Sequence, residues 1–130
     1  MIIFGHRFIK SETFYHITNV EDIIHTPPNS ILALEFEESN LDIIKYANDN
    51  NIRLALWVAD VKALVFAGAL NAKYLMVSKD LAKTAQNIAE NYLFDAKILV
   101  SIEEDEEVSE IALLGVDGVV FSSAIIKITS

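Results

Sequence analysis

The chain has 130 residues, 52% of them hydrophobic, and 19 Asp and Glu against 10 Lys and Arg leave a formal net charge of -9. A length of this order builds one core rather than two, so residues 1–130 are read as a single domain. The acidic balance disfavours nucleic acid and anionic membrane surfaces as partners, and the absence of cysteine excludes disulfides, thiolate nucleophiles and sulfur-ligated metals.

No window approaches the roughly 18 apolar residues of a membrane span. The opening "MIIFGHRFIK" is interrupted by His6 and Arg7 before any small-residue cleavage site, so it does not read as a signal peptide and the expected location is the cytoplasm. A mean hydropathy of +0.34 is high for one small core, and it points to apolar surface that meets another chain.

In chain order, "IIFGHRFI" and "ETFYHI" fit either a hairpin or the addition of another parallel strand. Thr18 with Glu21 makes a capping box for a short helix that must end before Pro27 and Pro28. Five apolar runs of strand length follow, "ILALEF", "IRLALWV", "KYLMVS", "AKILVSI" and "GVVFS", starting roughly 20 to 24 residues apart with helix-period segments between them. Their near-continuous hydrophobicity suits strands of a parallel sheet covered on both faces.

Between the runs, Ser39 is placed to cap "NLDIIKYANDN", with Leu41, Ile44 and Ala47 as its apolar stripe. Asp60 is placed to cap "VKALVFAGAL", and Ser78 or Asp80 to start "LAKTAQNIAENYLF", with Leu81, Ala85, Ile88, Ala89 and Tyr92 inward. The acidic run Glu103 to Glu107 sits at a helix start, where the macrodipole favours it, and Gly115 fits the helix-ending position. Laying Ile52 over Ala96 superposes two βα segments without a gap, a quasi-repeat compatible with duplication or with the regular length of such units.

The expected fold is therefore a single three-layer α/β domain with a mainly parallel sheet of five or more strands. The other arrangement that fits is a half barrel of βα units with helices on one face only.

The segment from Val61 to Leu70 has one charge in ten positions. With Val61, Leu64, Val65 and Ala69 taken as the sheet-facing stripe, Ala63, Phe66, Ala67 and Leu70 remain on the outside. A second copy of the chain would cover them across a two-fold axis, so a homodimer is expected with those four residues at its interface; the alternative cover is a loop or the N-terminal hairpin of the same chain.

Parallel sheets bind ligands at the C-terminal ends of their strands. By position, Trp57, Asp60, Ser78, Lys79 and Ser101 form a candidate ligand pocket. Alternation along "LEFEE" sends Glu35 and Glu37 to one side, where two carboxylates can hold Mg²⁺ or divide acid and base roles. His6, His16 and His25 show no ligand spacing. Phosphate-binding glycine loops and the GxSxG elbow are absent.

"ILVSIEEDEEVSEIALLGVDGVVFSS", residues 98 to 123, resembles the last βα unit and closing strand of glycerophosphodiester phosphodiesterase barrels. His6-Arg7 and Glu35-x-Glu37 resemble that family's early His-Arg pair and its Glu-x-Asp metal site. The resemblance implies a metal-dependent phosphodiester hydrolase, with His6 in acid-base chemistry and Glu35 and Glu37 holding a divalent cation such as Mg²⁺. The chain departs from the pattern in having about half the ~250 residues of such a barrel, in Glu37 standing for an aspartate, and in lacking a second histidine after Glu37. Because no complete catalytic constellation assembles from the sequence, the preferred expectation is a non-catalytic homodimeric module, without a cofactor, that binds a small ligand or a protein partner.

Overall fold

The computed structural model describes residues 1–128. Eight strands are present among them: β1 (Ile2–Phe4), β2 (Phe14–His16), β3 (Ile31–Glu35), β4 (Arg53–Trp57), β5 (Tyr74–Val77), β6 (Lys97–Ile102), β7 (Gly118–Phe121) and β8 (Ile125–Lys127). Four α-helices lie between them: α1 (Leu41–Asp49), α2 (Val61–Gly68), α3 (Lys79–Asn91) and α4 (Glu107–Leu114). The strands form one sheet in the order β1-β7-β6-β5-β4-β3-β2-β8, and every neighbouring pair is parallel. The parallel α/β reading holds. The first two strands form no hairpin; each pairs in parallel with a different part of the sheet.

Alternation along each strand divides its side chains between two cores. Leu32, Leu34, Leu54, Leu56, Leu75, Ile98 and Val119 join Ile44, Ala47, Leu64, Ala85 and Ile111 of the four helices in one buried cluster. The residues between them, including Phe4, Phe14, Ala33, Ala55, Met76, Leu99 and Val120, form a second cluster that no α-helix enters. The helices therefore cover one face alone, and the molecule takes the barrel-type arrangement rather than the three-layer one.

The uncovered face is buried by curling the sheet on itself. Phe4 and Phe14, near opposite ends of the strand order, meet edge to face with ring centroids 4.8 Å apart. Both also pack on Tyr74 of β5, at 5.3 and 5.5 Å. Chain connectivity helps the curl: only the turn Ser122–Ala124 separates β7 from β8, yet β7 pairs with β6 and β1 while β8 pairs with β2. Small residues such as Ala33 and Ala55 leave room inside for the three rings.

The N-terminal end of the curl carries an ion pair. Arg53 donates to both carboxylate oxygens of Glu12, at 2.9 and 2.6 Å, and also to the Asn29 carbonyl. Hydrogen bonding from the guanidinium holds the Glu12 carboxyl below its ordinary value, and burial raises the neighbouring Tyr74 phenol.

Several local starts differ from expectation. The first helical segment is a 3-10 turn, Val20–His25, capped by Asn19, whose side chain accepts from the Asp22 amide; the Asp22 carboxylate in turn accepts from the Thr18 amide. The capping pair is thus one residue later than Thr18 and Glu21. Ser39 lies inside a 3-10 turn and bonds Glu37, while Asn40 precedes α1. On α1 the buried residues are Ile43, Ile44 and Ala47, and Leu41 is exposed. Asp60 caps α2 as expected, accepting from the Ala63 amide at 2.8 Å, and α4 ends on Gly115 in the left-handed region at φ 75°.

The largest correction concerns α2. Its inward stripe is Leu64 and Ala67, with Ala63 and Leu70 partly covered by the same core, so Ala67 at 0% exposure cannot belong to an outer interface. Val61, Val65 and Phe66 face out instead. A helix apolar all round gives its periodicity no phase, and the tight fit beneath decides which side turns in.

Candidate functional site

At the C-terminal ends of the strands the inward series changes from apolar to polar. On β2 it runs Phe14 to His16, on β3 Ala33 to Glu35, and on β6 Leu99 to Ser101. On β5 and β7, Met76 and Val120 are followed two residues on by Ser78 and Ser122, just past the strand ends. On β4, Ala55 is followed by Trp57, whose ring packs on the inner cluster.

Three of these residues lie on adjacent strands and form a unit. Glu35 and Trp57 are register partners. The His16 ring meets Trp57 edge to face at 4.8 Å, and its Nε2 lies 3.5 Å from Glu35 Oε2. The contact lacks hydrogen-bond alignment, since the same buried Nε2 has no hydrogen-bond partner.

The other predicted residues have separate partners. Gly5, at φ 89°, turns the chain after β1. The turned chain brings His6 to the loop after β6. There His6 Nδ1 accepts from the Phe8 amide at 3.1 Å, which leaves Nε2 to carry the hydrogen and donate to Asp105 Oδ1 at 3.0 Å. Arg7 lies 3.8 Å from the same carboxylate. Glu37 accepts from the Ser39 hydroxyl at 3.1 Å, and Asn40 secures the turn by donating to the Glu35 carbonyl at 2.8 Å. His6, Glu35 and Glu37 are thus engaged with three different partners, and among the described residues no three His, Asp or Glu side chains are grouped as metal ligands.

Asp60 is occupied as the cap of α2. Lys79 donates to Glu110 at 2.7 Å, a hydrogen bond that raises its ammonium above the ordinary value. Ser101 and Ser122 border a hollow of about 450 Å³ together with Glu103, Glu104 and Glu107. Within the acidic run, Glu107 accepts from the amides of Glu104 and Glu103 at 2.9 Å each, and these bonds hold its carboxyl below the usual range. The run therefore works as a helix start, as expected.

His16 and Asp105 were absent from the sequence-derived site. His16 was legible in principle, since it follows Phe14 at strand spacing, but a three-residue strand is too short to reveal its face. Asp105 depends on a contact between loops 99 residues apart in sequence, which no local pattern encodes.

The site belongs to a small parallel α/β protein whose curled sheet presents a polar mouth at its C-terminal end. No protein-family model and no curated protein matches the chain.

Proposed function

We propose that the chain is a homodimeric, non-catalytic binding module that takes a small polar ligand at the mouth of its curled sheet. The observation that carries this reading is the shared switch to polar or amphipathic groups at the strand ends, with His16, Glu35, Trp57, Ser78, Ser101 and Ser122 set above an apolar interior. Hydroxyls that donate and accept, a carboxylate and an indole face are the groups that orient a small polar molecule. Oligomerisation is supported by apolar side chains left outside on α2.

The rival is a Mg²⁺-dependent phosphodiester hydrolase using His6, Glu35 and Glu37. That chemistry needs the three groups at one point, and their separate partners favour binding over hydrolysis.

Trp57 is the only tryptophan and reports on the mouth directly. Titrations with polyols, free amino acids and nucleosides, read by Trp57 fluorescence, should give a saturable change for one class, weakened about tenfold by Glu35→Gln. Silence from every class overturns the proposal. A rise in melting temperature with Mg²⁺ that Glu35→Ala abolishes would favour the hydrolase instead.

A further inference from the structure

The last strand adds a charge to the mouth. Ile125 of β8 packs against the inner aromatic cluster, so alternation returns Lys127, two residues on, to the same face. Lys127 is the register partner of His16, and on the other side His16 is the partner of Ala33, which precedes Glu35 by two positions. Across the inner face the strand ends of β8, β2, β3 and β4 therefore present Lys127, His16, Glu35 and Trp57 in that order.

Glu35 and Lys127 are an acid and a base on either side of one imidazole, and both are exposed. The Glu35 carboxylate has His16 as its ion-pair neighbour, at 3.5 Å, and Lys127 belongs to no ion pair among the described residues. With β2 between them their backbones stand about 10 Å apart, and no salt bridge joins them. The mouth thus offers one carboxylate and one ammonium that do not neutralise each other, beside a half-buried indole.

We propose that the mouth binds a free α-amino acid as its zwitterion. The ligand ammonium lies on Glu35, its carboxylate on Lys127, and its side chain over Trp57. This deepens the reading of the mouth as a binding site and rests on it.

Charge complementarity selects the class. A simple anion would match Lys127 but would meet Glu35 and the acidic run Glu103 to Glu107, which follows β6 at the same end of the sheet. A simple ammonium would match Glu35 and leave Lys127 without a counter-charge. A polyol carries neither charge. An amino acid brings both with no net charge, so each end makes a charge-assisted hydrogen bond, and the indole supplies apolar contact and a face that attracts the ammonium.

Isothermal titration calorimetry of the full chain with a panel of the protein L-amino acids tests this, and at least one should bind saturably. For the tightest of them, Glu35→Gln and Lys127→Gln should each raise the Kd by about tenfold or more, because each leaves one end of the ligand without its charged partner. Both side chains are exposed, so the circular dichroism of the two variants should match the wild type. Blocking the ligand should reproduce the losses. The methyl ester, which has no carboxylate, should bind wild type and Lys127→Gln equally weakly, and the N-acetyl derivative, which has no ammonium, should bind wild type and Glu35→Gln equally weakly.

If a polyol or nucleoside saturates the Trp57 signal while every amino acid is silent, the mouth stands as a binding site and the zwitterion falls. Silence from all classes overturns both. An amino acid whose Kd is unmoved by Lys127→Gln, or whose methyl ester binds as tightly as the parent, also overturns the zwitterion.

Discussion

Arg53 and Glu12 show how one contact ties distant segments together. Glu12 lies before β2 and Arg53 opens β4, and their bidentate pair closes the N-terminal end of the curl. Because the folded-state value of Glu12 is lowered from 4.5, its contribution is fully present above that value and is lost as pH falls through the lowered one. Glu12→Gln should therefore melt below the wild type at neutral pH, by no more than about 1 kcal/mol for a pair this exposed. The difference should shrink as pH falls below 4.5 and vanish once it has passed below the lowered value, read from thermal melts across pH. A gap that persists to strongly acid pH would assign the effect to packing. Neither partner was legible as a pair in the sequence, where 41 residues separate them.

At α2 the legible and illegible parts of one helix separate cleanly. Its start was readable, because Asp60 precedes an apolar run and a carboxylate can reach the third amide from the cap. Asp60→Ala should cost about 1 kcal/mol, measured by denaturant unfolding, and leave the slope of the transition unchanged. The buried face was not readable, and Ala67 was assigned outward although it is fully covered. The same failure recurs at the end of α3, where Tyr92 was assigned inward and is exposed because the helix ends at Asn91. Both errors concern apolar residues whose burial depends on the neighbouring element rather than on their own period.

The curl makes stability and the geometry of the mouth depend on the same aromatic cluster. Phe14 is fully buried and meets Phe4 and Tyr74, so it joins strands near both ends of the sheet to its middle. Phe14→Ala should destabilise by about 3–5 kcal/mol, and because His16 is two residues further along β2 it should also disturb the mouth. Denaturant unfolding together with the near-ultraviolet circular dichroism of Trp57 measures both effects; a loss below about 1 kcal/mol would mean that the sheet closes without the aromatic cluster.

What local sequence determined is the sequence of βα units from Ile31 onward, the mainly parallel sheet they imply, and the acidic, cysteine-free composition. Strand hydrophobicity, turn residues and caps are short-range signals, and each is complete within a few residues. What only tertiary structure decided is the curl, the side of α2 that turns inward, and the meeting of His16 with Glu35 and Trp57. Those outcomes depend on how side chains from distant segments fill a common volume, and that volume exists only once the sheet has curled.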